Sequence, residues 1–440
     1  RALHFNLLTD YSKRIFVAIP NASKALKNKT ISWLSHFLPY VCLMIYNPKR
    51  ISHLDGLRGI LALVVFVYHF FYCLAPQFIL GGTHNEVISN NNTLLKTIAY
   101  TPLNLFYNGS MAVNFFFVLS AYVLSYNYFS NNKAKLIRKN ILKRYFRLAI
   151  PVLASCLFIF LLHTFNLLYK TPFPLMDVNK AWLQGLFPDN LDLLQLIKYA
   201  LVNVFFDDNA SYNSVLWTMG IELTGSILVF VSLLATHKLK AKARVFVAII
   251  LIEFAVKKYY SVGFSLGLLI CYLQHNNTLF KNITANNYFK AGMLLCGLYL
   301  ASFPHLSYQN GLAYTIYAPI DFMQGHGFHK LVHIFGCSML LLVFINSQKL
   351  KNIFLIKPIQ FLGKISFSFY LLHLCLLLVF ASRIYELLYP YFVDEINIPL
   401  TFILSLSCIL TVSFLFYRYV DFYAVKYASK ISDLVFNQTT

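Results

Sequence analysis

The chain has 440 residues, of which 58% are hydrophobic and 12% are charged, and its mean hydropathy is +0.61. This composition excludes an ordinary soluble protein of that length and indicates a protein embedded in the lipid bilayer. The net charge of +21 would also suit a nucleic-acid-binding protein, but the basic residues lie between apolar runs, as membrane topology requires, so we expect no nucleic-acid partner.

Ten apolar runs follow one another along the chain. Most of them approach or exceed the roughly 20 residues that cross a bilayer, and the fifth, sixth and seventh are shorter. Because the runs lack a strict period of two, they predict helices and not barrel strands. The predicted fold is therefore all-α, a polytopic membrane helix bundle of about ten transmembrane helices. The runs are 57–79, 110–130, 148–169, 214–236, 245–256, 260–274, 291–303, 331–346, 359–380 and 399–419.

The distribution of charge predicts the topology. With the N-terminus in the cytosol, 29 of the 37 Lys and Arg residues fall in or beside cytosolic segments, as the positive-inside rule expects. We predict a multi-pass protein of the endomembrane system or plasma membrane with both termini cytosolic. Sequons at Asn91 and Asn209 then lie on the non-cytosolic side, whereas the sequon at Asn28 lies in the cytosol.

Three parts follow from these spans. Residues 1–50 are predicted to form a cytosolic N-terminal segment with an interfacial helix at 31–46. Residues 51–420 are predicted to form one membrane domain, and residues 421–440 a cytosolic C-terminal tail.

Arg58 and His69 stand eleven residues apart in the first apolar run. Eleven helical steps come to about 20° more than three full turns, so both side chains share one face and are separated by about 16 Å along the axis. His69 thus lies near the bilayer midplane, where ionisable groups are costly and are usually functional.

Glu222 and His373 are the other ionisable groups that the spans place deep in the membrane. Counted by helical rise from the predicted ends of their runs, both come to the level of His69, about 12 Å from the non-cytosolic surface. This pattern predicts a common site on three helices. Hydrogen bonding between helices is the alternative interpretation of the same three residues.

Five sequence blocks extend this pattern. Together they resemble the acyltransferase-3 family of integral membrane acyltransferases, in particular its fungal branch, whose signature is an Arg and a His separated by ten residues. The resemblance covers residue 51 to about 380 and implies transfer of an acyl group, most often acetyl, from cytosolic acyl-CoA to a hydroxyl group. The blocks are LDGLRGILALVVFVYHF at 54–70, FFFVLSAYVLSY at 115–126, KRYFRLAIP at 143–151, LWTMGIEL at 216–223 and LGKISFSFYLLH at 362–373.

The resemblance implies roles for the donor side of the site. His69 would accept the proton of the attacking hydroxyl and return it to the leaving thiolate. Arg58 would bind phosphate or pantetheine groups of acyl-CoA, for which guanidinium geometry is well suited. Arg144 and Arg147, three residues apart on one helix face, would bind the phosphates of CoA as well. Glu222 would orient His69 or bind the acceptor, and His373 would act at the same level.

On the acceptor side, Trp217 is expected to stack on the hydroxylated substrate and His333 to line its cavity. His326, His329 and His333 also have helical spacing that resembles a metal site. Because the resemblance brings no metal, we expect none, and we expect no permanently bound cofactor. Acyl-CoA, most often acetyl-CoA, would be a co-substrate.

Two departures from the fungal pattern leave other functions open. Gly220 replaces a proline and Thr224 replaces an arginine in the fourth run, which would fit a non-catalytic scaffold or sensor. A proton-coupled transporter would also place His and Glu at the midplane, although the broken helices or paired repeats that often accompany transport are not found in the sequence.

Overall fold

The computed structural model describes residues 51–80, 93–131, 135–168, 182–183, 185–187, 192–207, 211–304, 312 and 315–437. Within these residues all regular structure is helical, so the predicted all-α fold is confirmed. The predicted interfacial helix at 31–46 and the sequons at Asn28, Asn91 and Asn209 lie outside the described residues.

Eleven helices of more than ten residues form the framework of the described part of the chain. In chain order they are α1 (Ser52–Leu74), α2 (Gly109–Asn131), α3 (Lys135–Thr164), α4 (Trp217–Ala235), α5 (Lys242–Ala255), α6 (Tyr259–Asn276), α7 (Asn287–Ala301), α8 (Phe328–Asn346), α9 (Lys357–Leu388), α10 (Asp394–Phe416) and α11 (Phe422–Asn437). Shorter helical segments connect them: Gln77–Leu80, Thr93–Ala99, Pro102–Phe106, Leu193–Lys198, Tyr199–Asn203, Val204–Phe206, Ser214–Leu216, Thr278–Ala285, Ala318–Gly327, Gln348–Ile353 and Tyr417–Asp421.

The helices make this a multi-pass membrane protein. Among the described residues, seven helical stretches are long and apolar enough to cross a bilayer: Ser52–Leu74, Gly109–Ser130, Ile137–Thr164, Ser214–Ala235, Phe328–Asn346, Lys357–Leu388 and Asp394–Phe436. The predicted count of ten spans is not confirmed. The runs at 245–256, 260–274 and 291–303 do form helices, α5 to α7, but these have 14, 18 and 15 residues, below the length of about 20 for a simple crossing.

The register between α1 and α9 is set by glycine. A Cβ atom on Gly59 would lie 2.4 Å from the backbone nitrogen of Gly363, so the two helices touch there only because neither residue has a side chain. Further along both helices, Phe66 packs on Phe369 with ring centroids 5.6 Å apart. The helices therefore run parallel, and residues at equal distances beyond the glycine contact face each other.

The arginine-bearing part of α3 is fastened from the C-terminal side of the chain. Lys139 forms an ion pair with Asp433, and the hydroxyl of Ser432 donates to the carbonyl oxygen of Lys139 at 2.9 Å. Helix α11 therefore packs along the first turns of α3. Below, the end of the bundle near Arg58 is called the Arg58 end, and the end toward which α1 runs is called the His69 end.

Candidate active site

Two histidines meet near the His69 end of the bundle. His69 and His373 each stand ten residues beyond the glycine contact on their own helix, so the register of α1 and α9 brings them together. Nδ1 of His69 lies 3.0 Å from Nε2 of His373, and their ring centroids are 5.0 Å apart. The structure thus places together two of the three residues that were predicted at one depth.

The partners of the two rings assign their protons, because a carbonyl oxygen can only accept a hydrogen bond. Nδ1–H of His373 donates to the carbonyl oxygen of Tyr370 at 2.8 Å, which leaves Nε2 of the neutral ring as an acceptor. Nδ1–H of His69 then donates both to the carbonyl oxygen of Val65, at 3.0 Å, and to His373. Nε2 of His69 is therefore left with an unprotonated lone pair, as a general base requires.

Burial differs across this pair. His373 has no exposed surface, whereas His69 is partly exposed. His373 is thus the inner member, positioned to hold the orientation and tautomer of His69. A substrate can reach only the outer ring.

Trp182 covers one face of the His69 ring, and the sequence did not reveal this. Its indole lies nearly parallel to the imidazole, with centroids 6.0 Å apart and an interplanar angle of 8°. Trp182 comes from the long connection between α3 and α4, which has no periodic pattern that could predict a contact. The only signal was that one of the three tryptophans of the chain stands there.

Tyr370 links the histidine pair to the start of α4. Its hydroxyl donates to the carbonyl oxygen of Val215 at 2.8 Å and lies 2.8 Å from the hydroxyl of Thr218. Its own carbonyl oxygen accepts from His373. Tyr370 precedes His373 by three residues, about one helical turn, which is the signal by which the sequence could have revealed it.

Glu222 does not join the histidine pair. Its carboxylate forms an ion pair with Arg144 and accepts a hydrogen bond of 2.5 Å from the hydroxyl of Ser120. Arg144 also donates from Nε to the hydroxyl of Ser226 at 2.9 Å. Helices α2, α3 and α4 are therefore joined at one buried polar point.

Two contacts place this polar point toward the Arg58 end. A Cβ atom on Gly109, at the start of α2, would lie 2.9 Å from the ring of Tyr68, the neighbour of His69. Ser120 follows eleven residues later, about 16 Å further along α2. On α4, Glu222 likewise lies four residues past Thr218, away from the histidines. The expectation that Glu222 shares the depth of His69 is therefore wrong.

The depth estimate failed because α4 begins inside the protein. The residues just before and at its start are buried: Asn213 is 1% exposed, Val215 3% and Thr218 4%. Helical rise had been counted from a start at the membrane surface, and the true start is submerged.

The three arginines that were predicted to bind CoA phosphates form a cluster, called here the arginine cluster (Arg58, Arg144 and Arg147). The charges of Arg58 and Arg147 both act on Arg144. Each member also has a carboxylate partner. Arg58 lies 3.3 Å from Asp55, Arg144 binds Glu222, and Arg147 binds Asp421 and lies over the ring of Phe367.

His333 is placed in the interior and does not line a cavity. It has no exposed surface, its Nε2–H donates to the carbonyl oxygen of Phe303 at 2.7 Å, and its Nδ1 lies 3.3 Å from the hydroxyl of Ser110. The role predicted for it as an acceptor contact is not supported, because both nitrogens fasten α8 to its neighbours. The side chain of His326 lies outside the described set.

Trp217 remains accessible, as a substrate contact requires. It is 39% exposed and packs on Tyr260 with centroids 5.6 Å apart. Its described ring contact is thus with Tyr260 and not with His69.

The two departures from the fungal pattern leave the arginine cluster intact. Thr224 is exposed, and its hydroxyl donates to the carbonyl oxygen of Gly220 within the same helix at 2.8 Å. Two helical steps, about 200°, separate it from Glu222. The missing arginine at position 224 therefore lay on the opposite face of α4 from the Arg144–Glu222 pair.

Comparison with known proteins agrees with this architecture. A family model described as an acyltransferase domain, that of the acyltransferase-3 family, matches residues 51–418. Acyltransferase clz18 of Cochliobolus lunatus is 25% identical over 414 residues, covering 78% of this chain and 86% of the relative. O-acetyltransferase PaAT-1 of Phomopsis amygdali is 25% identical over 366 residues, covering 73% and 71%. Acyltransferase R4 of a Phoma species is 24% identical over 406 residues, covering 77% and 85%. No solved structure matches.

Proposed function

The chain belongs to the acyltransferase-3 family of membrane acyltransferases, and from this premise we propose that it transfers an acyl group from cytosolic acyl-CoA to a hydroxyl group of an acceptor. Acetyl is the proposed acyl group, since one relative carries the name O-acetyltransferase. The observation that carries the proposal is the hydrogen bond between His69 and His373, which leaves a basic nitrogen at the partly exposed ring.

The arginine cluster is the proposed binding site for the phosphates of acyl-CoA. A guanidinium group has five N–H donors, and a carboxylate partner occupies only some of them. Each arginine can therefore keep its partner and still bind a phosphate oxygen by a charge-assisted hydrogen bond. Arg58 and His69 are about 16 Å apart along α1, a distance that an extended pantetheine arm can bridge.

The proposed reaction is a direct transfer. Nε2 of His69 takes the proton of the acceptor hydroxyl while its oxygen attacks the thioester carbonyl carbon. The bond between carbon and sulfur breaks, and the thiolate of CoA receives the proton from the imidazolium. While His69 is positively charged, Nδ1–H donates to the Val65 carbonyl oxygen and to His373, which stabilises the charged ring.

His373 acts as a positioning residue in this proposal. We expect His373→Ala to lower kcat by about 10- to 100-fold, because an unfixed His69 samples the wrong tautomer and orientation, by analogy with the loss of a second-shell partner. His373→Gln offers an amide oxygen to Nδ1–H of His69 and should recover part of the rate.

Steady-state kinetics of both variants test this role. The KM for acyl-CoA should stay within about twofold, because the arginine cluster is untouched. Equal losses in His373→Ala and His373→Gln would assign His373 to packing alone.

The orientation in the membrane is also part of the proposal, with both termini and the Arg58 end in the cytosol. The positive-inside rule supports it. Glycosylation mapping in eukaryotic cells should find sugar on Asn91 or Asn209 and none on Asn28. Modification of Asn28 would reverse the orientation and with it the side from which acyl-CoA arrives.

The experiment that tests the function compares metabolites. A strain that lacks the gene should lose one acylated compound and gain its counterpart, lighter by the mass of one acyl group. Wild-type protein should restore the acylated compound and His69→Ala should not. Restoration by His69→Ala, or transport of the compound with no mass change, would contradict the proposal.

A further inference from the structure

Three aromatic side chains border the accessible side of His69 and are called here the aromatic wall (Tyr68, Tyr72 and Trp182). Trp182 lies parallel to His69 and meets Tyr72 edge to face, with centroids 5.0 Å apart at 82°. Tyr72 in turn stacks on Tyr68, with centroids 5.8 Å apart at 7°. The wall is therefore continuous with the imidazole and adds ring surface on its outer side.

The wall faces open space, while the other side of the site is closed. All three of its side chains, like His69, keep part of their surface exposed. Behind His69, His373 is 0% exposed and Phe369 is 1% exposed. An acceptor that brings its hydroxyl to Nε2 of His69 must therefore lie along the aromatic wall.

The chemistry of this surface selects among acceptors. Aromatic rings favour flat apolar partners, with about 0.5–1.5 kcal/mol per ring pair beyond the burial of apolar area. A glycan carries several further hydroxyls, and each of them must find a hydrogen-bond partner when it is buried. The carboxylate that the sequence had suggested beside His69, that of Glu222, is held by Arg144 instead.

We infer that the acceptor is a hydroxyl compound with a planar, fused-ring apolar body, which lies against the aromatic wall with its hydroxyl at Nε2 of His69. Trp182 is then the residue that determines acceptor specificity. This inference rests on the proposed acyl transfer and names the class of its second substrate.

Two probe acceptors with a primary hydroxyl test it: 2-(2-naphthyl)ethanol, which has a fused aromatic ring, and methyl β-D-glucopyranoside, which has a sugar ring. Purified full-length protein in nanodiscs is supplied with acetyl-CoA and either probe. We expect kcat/KM for the naphthyl probe to be at least about tenfold higher, because only this probe can stack on the wall.

Variants of the wall separate binding from folding. Trp182→Ala should raise the KM for the naphthyl probe about tenfold and leave the KM for acetyl-CoA unchanged, whereas Trp182→Phe keeps a ring and should stay near the wild type. Tyr288→Ala, at a side chain that is 90% exposed, is the control and should change neither value.

The outcomes distinguish this inference from the proposed function. Equal or better transfer to the glucoside, or an unchanged naphthyl KM in Trp182→Ala, would overturn the inference and leave acyl transfer standing. If wild-type protein consumed no acetyl-CoA with either probe or with a cell extract, the proposed function would fall and the inference with it.

Discussion

Replacement of His69 by alanine is expected to lower turnover by about 10²- to 10⁴-fold, the usual contribution of a positioned general base. The variant should still bind acyl-CoA, since the arginine cluster lies about 16 Å away along α1. Acylation rates and calorimetric binding of acetyl-CoA measure the two effects separately. The loss should appear in kcat and not in the affinity for the donor.

His163→Ala is a matched control for this experiment, because His163 stands at the end of α3 and has no place in the proposed site. It should retain turnover. If His69→Ala kept turnover within about twofold of the wild type, the imidazole would not be the base.

Arg144→Ala is expected to have the opposite signature. Hydrogen bonds to charged groups contribute about 1.5–3 kcal/mol, so loss of this guanidinium should raise the KM for acyl-CoA by about 10- to 100-fold. The KM for the acceptor should hardly change. Arg138→Ala, at an exposed arginine on the same helix, should leave the KM for acyl-CoA within about twofold.

Arg144→Ala also leaves the carboxylate of Glu222 without its ion-pair partner, which can destabilise the fold. The double variant Arg144→Gln with Glu222→Gln removes both charges and keeps amide groups that can hydrogen-bond. Its thermal stability should recover while its KM for acyl-CoA stays high. Recovery of both properties would show that the pair holds the helices together and does not bind the donor.

Glu222→Gln alone should now act on the donor and not on the acceptor, because Glu222 lies with the arginine cluster. Its glutamine can still accept hydrogen bonds from Ser120 and Arg144, but the negative charge is gone. We expect a changed KM for acyl-CoA and an unchanged KM for the acceptor. A changed acceptor KM alone would return Glu222 to the level of His69.

Much of the fold could be predicted from the sequence, because a span of lipid demands a long apolar run. The spacing of Arg58 and His69 correctly predicted one helix with both residues on it. The level of His373 was predicted as well. The short runs were overcounted as spans, since hydropathy alone does not separate a full crossing from a shorter packed helix.

The partners of Glu222 and His69 could not be predicted, because depth counted within one helix says nothing about where that helix begins in the bundle. The buried start of α4, at Asn213 and Thr218, shifted Glu222 toward Arg144. Trp182 escaped prediction for a different reason. It reaches His69 from a connection whose course is fixed only by tertiary packing.

The central claim is that His69 drives acyl transfer from acyl-CoA, and release of CoA tests it most directly. Purified protein in nanodiscs would receive acetyl-CoA together with an extract from cells that lack the gene, and free thiol and acetylated product would be measured together. The account predicts that wild-type protein forms both in equal amounts and that His69→Ala forms neither above the buffer rate. Equal release of CoA by the two proteins, or release with no acetylated product, would contradict it.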